Sequence, residues 1–104
     1  MREYYTATGI IIGRDWGFGI TGYTAKPQRF TDLDKWIKEM ESRKDFDNLD
    51  GGMGYESTYG VKYEVTHHKE LEDGFHATKY LGKFIFTTIE CPKQARDFLE
   101  DTDK

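Results

Sequence analysis

Three histidines, His67, His68 and His76, flank one polar stretch, and imidazoles so placed are the first residues to test for chemistry. Neutral imidazole is a common metal ligand and titrates near neutrality. Adjacent residues of an extended strand point to opposite faces, so His67 and His68 are poorly placed to share one ion. His76 can face one of them across a hairpin. With no cysteine nearby, a zinc site there would draw on Glu70, Glu72 or Asp73 for further ligands. The simpler expectation is a set of polar turn residues, and no metal and no other cofactor is assigned.

The second candidate is the acidic run Asp45-x-Asp47-x-Leu49-Asp50-Gly51, with Glu56 twelfth counted from Asp45, as in a calcium-binding EF-hand loop. Leu49 stands where an oxygen ligand belongs, the glycine is one place late, and a strand rather than a helix follows. An acidic connecting loop is therefore expected. Gly17-Phe18-Gly19-Ile20-Thr21-Gly22 matches G-x-G-x-x-G, but a dinucleotide site needs those glycines between a strand and a helix. Here they open a second strand, so a turn and close packing are the expected roles. Cys91 precedes Pro92 near a helix start, a place that can lower a thiol pKa, although a structural position is the plainer reading. Neither a serine-nucleophile elbow nor a phosphate-binding loop is present, and no catalytic residue is assigned.

The elements that must position these residues follow from periodicity. Tyr4 to Ile12 is β-branched and aromatic, a strand; Gly13 to Gly17 is a turn carrying Trp16, and Phe18 to Ala25 is the return, ended by Pro27. Thr31 is the expected cap of a helix whose Leu33, Trp36, Ile37 and Met40 make one apolar stripe. Tyr59, Val61, Tyr63 and Val65 alternate with polar neighbours, a half-buried strand, and the chain returns from Phe75 or His76 to Ile89 with Gly82 as a bulge. Pro92 suits the first turn of a second helix with Ala95, Phe98 and Leu99 inward. Tyr59, Tyr63, Phe84 and Phe86 are expected in the core; Tyr4, Tyr5, Tyr23, Tyr55 and Tyr80 are harder to bury together. The pattern predicts an α+β domain spanning 1–104: two ββα units, 4–44 and 59–101, joined by an acidic, Gly-rich linker over 45–58. Together they would form a four-stranded, mainly antiparallel sheet with both helices on one face.

A chain of 104 residues with 15% aromatics can build a core without disulfides, and its single cysteine fits a reducing compartment. Its start has no signal-peptide pattern and its longest apolar run is Ile10–Ile12, so a soluble cytoplasmic protein is expected. The net charge of −4, with neither half basic, disfavours a general grip on phosphates. The leading functional expectation is a small acidic, non-enzymatic module that binds another protein. In style it fits a phage or mobile-element inhibitor of a host defence nuclease, of the anti-CRISPR or DNA-mimic type, occupying a basic surface meant for nucleic acid. The partner-binding residues would be Trp16 at the first hairpin tip, Asp45, Asp47 and Asp50 in the linker, and Glu70, Glu72 and Asp73 at the second turn. The alternatives are a small metal-dependent enzyme and a single-strand nucleic-acid binder using sheet aromatics. Free hairpin edges also allow a homodimer.

Overall fold

A computed structural model describes residues 2–15, 17, 19–50 and 57–101. The chain is α+β, and the described residues form five strands and two α-helices. Strands β1 (Arg2–Asp15), β2 (Gly19–Thr24) and β3 (Gln28–Phe30) precede helix α1 (Leu33–Glu41); β4 (Ser57–Glu70), β5 (His76–Thr87) and helix α2 (Lys93–Asp101) follow. Every pairing is antiparallel and the order across the sheet is β2-β1-β4-β5. Strand β3 shares with β2 the same edge of β1: Ile10–Asp15 pairs with β2 and Tyr5–Ala7 with β3.

The count is five strands rather than four, and the reason lies at Pro27. Proline interrupts the return strand, as expected, but β1 is 14 residues long and its N-terminal half still offers an unpaired edge. The chain steps over Lys26 and Pro27 and resumes pairing at Gln28.

The helices lie on opposite faces of the sheet, which corrects the expectation that both cover one. Side chains alternate along β4, so Val61, Tyr63 and Val65 point one way and Gly60 the other. The first set packs with Ala7, Ile11 and Phe86 beneath Trp36 and Met40 of α1. On the second face Ile12 packs with Ala95 and Leu99 of α2, a Cβ built on Gly60 would strike Leu99, and one on Gly22 would press on Phe98. Ile10, Ile11 and Ile12 are apolar in succession because both faces of β1 are covered there.

Helix α1 begins one residue later than Thr31 would have it: Asp32 is the cap, and its Oδ1 accepts from the Lys35 amide at 3.1 Å. The indole of Trp36 stacks on Phe30 with ring centres 4.4 Å apart and meets the edges of Tyr63, Phe84 and Phe86. Its Nε1 donates to Gln28 Oε1 at 2.8 Å, Gln28 Nε2 donates to the Tyr63 hydroxyl at 3.4 Å, and that hydroxyl donates to the Lys26 carbonyl at 2.8 Å. The polar ends of Trp36, Gln28 and Tyr63 are thereby paired. The acidic segment is more than a linker. Phe46 and Leu49 are buried in the same core, and the Leu49 carbonyl accepts from the Lys26 amide at 2.7 Å. Gly82 has φ +120° and sits where the β4–β5 register shifts, the bulge its position implies.

Where β1 crosses β4, a methyl group on Gly9 would collide with the carbonyl of Lys62. That atom belongs to a paired central strand and has no room to yield. Gly9→Ala is expected to cost about 3 kcal/mol, at the high end for overpacking, measured as the shift in urea midpoint at constant slope.

Candidate functional site

Helix α2 covers the half of its face around Ile10, Ile12, Ile20 and Tyr59. The other half carries no helix among the described residues, and there the register of β1 with β4 sets planar side chains in a row. Tyr4 lies opposite His68, and Tyr5 opposite His67. Because neighbours alternate, these two pairs fall on opposite faces.

On the open face the Arg29 guanidinium lies 3.8 Å from the centre of the Tyr4 ring, a cation–π contact. Tyr4 stacks on His68 at 4.7 Å with an interplanar angle of 8°. His68 then meets His76, Nδ1 to Nε2 3.2 Å. Thr6 Oγ1 lies 2.8 Å from the remaining nitrogen, Nε2, of His68. On the α1 face the row is His67, Tyr5, Phe30 and Trp36, with centre separations of 4.7, 5.5 and 4.4 Å. His67 Nε2 stands 3.9 Å from Glu3, whose carboxylate is 3.6 Å from the Lys69 ammonium. His68 is held below the ordinary imidazole pKa, first by desolvation and then by the positive groups His76, Arg29 and His67; Glu70 opposes them. The neutral ring is therefore the favoured form near neutral pH.

The hairpin joining β4 to β5 closes tightly. The Leu71 amide donates to the Phe75 carbonyl at 2.8 Å, Gly74 to the Leu71 carbonyl at 3.1 Å, and the Phe75 amide to Asp73 Oδ1 at 3.3 Å. Glu72 and Asp73 are exposed, Glu70 is half-buried, and between them Phe75 is 69% exposed and Leu71 38%.

The other acidic group lies at the far end. Asp45 Oδ1 accepts from the Asp47 amide at 3.1 Å, and Asp47 Oδ1 accepts from the Thr58 hydroxyl at 2.8 Å. Thr58 Oγ1 in turn accepts from the Phe46 amide at 2.9 Å, and Asp50 bridges to Ala25. These carboxylates fold the segment across the start of β4, beside a cleft of about 540 Å³ lined by Arg43, Lys44, Asp45, Asp47 and Thr88 among others. Twelve residues of β4 separate Thr58 from Glu70, about 40 Å at roughly 3.3 Å per residue, in a molecule 53 Å long. Asp45, Asp47 and Asp50 are thus not brought together with Glu70, Glu72 and Asp73. Trp16 and Glu56 lie outside the described residues.

Gly17 and Gly19, both at φ +78°, turn β1 into β2 with no helix behind them, so the phosphate-binding reading of G-x-G-x-x-G has no support. Among the described residues no three His, Cys, Asp or Glu stand within ligating range of one another, and no helix is long and apolar enough to cross a membrane. Thr6 and Arg29 are site residues that sequence reasoning passed over, and Tyr4 stood out only as hard to bury. The signal for Tyr4 and Thr6 was the alternation Tyr4, Thr6, Thr8 along one strand face, which acquires meaning only with the register; Arg29 had none.

Burial pushes the Cys91 thiol above its ordinary pKa, outweighing the nearby Arg96, so the helix start does not activate it. Less thiolate is present at any given pH than in a free cysteine. Alkylation of Cys91 by iodoacetamide is expected to be slower than for the urea-unfolded chain at pH 8, and to reach half its limiting rate at a higher pH than the unfolded chain, whose ordinary thiol does so at about 8.5. No family model, no curated protein and no solved structure matches this chain.

Proposed function

We propose that this chain is a non-enzymatic protein-binding module that docks the tip of its β4–β5 hairpin on a basic surface of a partner protein. The observation that carries this is Phe75, a large aromatic 69% exposed on a closed turn whose sequence also carries Glu70, Glu72 and Asp73. An aromatic anchor within a charged rim is the usual composition of an energetic hot spot. The hydrogen bonds that close the turn hold it in shape before binding, so little ordering entropy is lost on association. The carboxylates supply attraction to, and orientation on, a basic partner. Basic surfaces with apolar pockets are common where proteins hold nucleic acid, and the specific form of the proposal is an inhibitor of a nucleic-acid-cleaving defence enzyme in the cytoplasm.

The competing reading, bases stacked on sheet aromatics, finds the rings of Tyr4 and Tyr5 already engaged. Tyr4 lies between Arg29 and His68, and Tyr5 between Phe30 and His67. A base needs a free ring face. The strap bearing Asp45, Asp47 and Asp50 is a weaker docking candidate because Asp45 and Asp47 already accept hydrogen bonds that hold the strap in place.

The test uses wild type, Phe75→Ala, and a triple variant with Glu70→Lys, Glu72→Lys and Asp73→Lys. Each is used as bait in a lysate of the source organism, and affinity is then measured with the purified captured protein. The proposal expects Phe75→Ala to weaken binding by about thirtyfold or more. It expects the triple variant to abolish binding and both to keep the wild-type thermal midpoint within a few degrees. A partner bound equally well by all three proteins overturns it.

A further inference from the structure

The geometry points to a divalent transition-metal site formed by His68 and His76 on the open face of the sheet, with Thr6 positioning one of the ligands. Two imidazoles on one tetrahedral ion, at bond lengths of about 2.05 Å, hold their ligating nitrogens about 3.3 Å and their ring centres about 5.2 Å apart. In this molecule Nδ1 of His68 and Nε2 of His76 are 3.2 Å apart and the ring centres 5.2 Å apart. The rings therefore stand at the spacing a shared ion imposes.

Backbone and neighbours both fix this arrangement. His68 pairs with Thr78 and Glu70 with His76 across the β4–β5 ladder, so the two histidines are diagonal neighbours on one face of a regular hairpin. Tyr4 stacks against the His68 ring and fixes its plane. Thr6 Oγ1 lies 2.8 Å from Nε2 of His68, and in the proposed site it accepts that nitrogen's N–H, which leaves the ring's lone pair on Nδ1, toward His76. Ligating histidines characteristically donate their other ring N–H in this way, fixing tautomer and orientation. On binding, the proton that His76 shares with His68 moves to Nδ1 of His76, and both Nε2 of His76 and Nδ1 of His68 turn lone pairs to the ion. Both rings ligate as neutral imidazoles, and the rearrangement is a change of tautomer at His76.

The ion class follows from the ligands. Two imidazole nitrogens suit zinc, nickel or copper(II) and not magnesium or calcium, which require oxygen cages. With no third His, Cys, Asp or Glu in range among the described residues, the remaining coordination positions belong to water. This is an open, exchangeable site rather than a closed structural one. It stands independently of the hairpin-tip docking surface, although Glu70 is near both.

Zinc titration of tag-free protein, followed by calorimetry and by the histidine ring proton resonances, tests the site. One zinc per chain is expected, with the resonances of His68 and His76 shifting and those of His67, on the opposite face, unmoved. His68→Gln and His76→Gln should each abolish the binding, whereas His67→Gln should retain it. Thr6→Val leaves both ligands in place and should weaken binding about tenfold, the lower end of what loss of such a partner does. Circular dichroism and thermal midpoints of the variants separate loss of ligand from loss of fold. Zinc that binds undiminished to folded His68→Gln, or a wild type that binds none at millimolar zinc, overturns the assignment.

Discussion

The indole of Trp36 is the point on which this fold depends. Carried on α1, it touches the short β3 and the strands β4 and β5 while also satisfying a polar network. Strand β3 is three residues long and could not hold its place by ladder hydrogen bonds alone. Phe30 gives it a ring to stack on the indole, and Gln28 gives it a side chain between the indole N–H and the Tyr63 hydroxyl. Tyr63 then reaches the Lys26 carbonyl, a group that Pro27 leaves next to a break in the ladder. Burial pushes the Tyr63 phenol above its ordinary pKa, so it stays a donor at any ordinary pH. One apolar ring and three hydrogen bonds thus convert a proline interruption into a paired edge.

From that hub the register of β1 with β4 determines the surface chemistry. Because Tyr4 and Tyr5 are neighbours and His67 and His68 are neighbours, a single antiparallel alignment creates two stacked rows, one per face. The row on the α1 face ends in the core at Trp36. The row on the open face ends in solvent at His76. A slip of one residue would exchange the faces and put His68 against Tyr5, so the buried row enforces the geometry of the exposed one. The core is what specifies the outer imidazole pair.

Much of this was legible in the residues, for reasons that are local. The stripe Leu33, Trp36, Ile37 and Met40, the alternation through Val61, Tyr63 and Val65, the bulge at Gly82 and the helix opening after Pro92 depend on periodicity or on single-residue backbone preferences. What was not legible depends on sequence-distant pairing. Strand β3 is too short to show a period and follows a proline. The opposite placement of the helices was announced by Ile10, Ile11 and Ile12, since a strand apolar on consecutive residues is covered on both sides. Phe46 and Leu49 were hidden by the carboxylates around them, and so the strap looked like a linker. The histidine pair needed the β4–β5 register: a shift of one residue would have set His76 beside His67 instead.

The placement of the two acidic groups bears on mechanism. Had they formed one continuous strip, mimicry of a nucleic-acid backbone would have been the natural account of the negative charge. Instead they stand about 40 Å apart along β4, and Lys62, Lys69, Lys79 and Lys83 fall on β4 and β5 between them. At physiological ionic strength charges separated by more than about 8 Å are largely screened from one another, so the two ends present separate fields. An interaction through this molecule is therefore local to one end. Of the two, the strap engages both Asp45 and Asp47 with its own amides and a hydroxyl, while at the hairpin tip Asp73 holds the Phe75 amide and Glu72 is exposed to solvent beside an exposed phenylalanine. Charge that is not consumed in holding the fold is charge that a partner can use, and this asymmetry gives the hairpin the stronger claim.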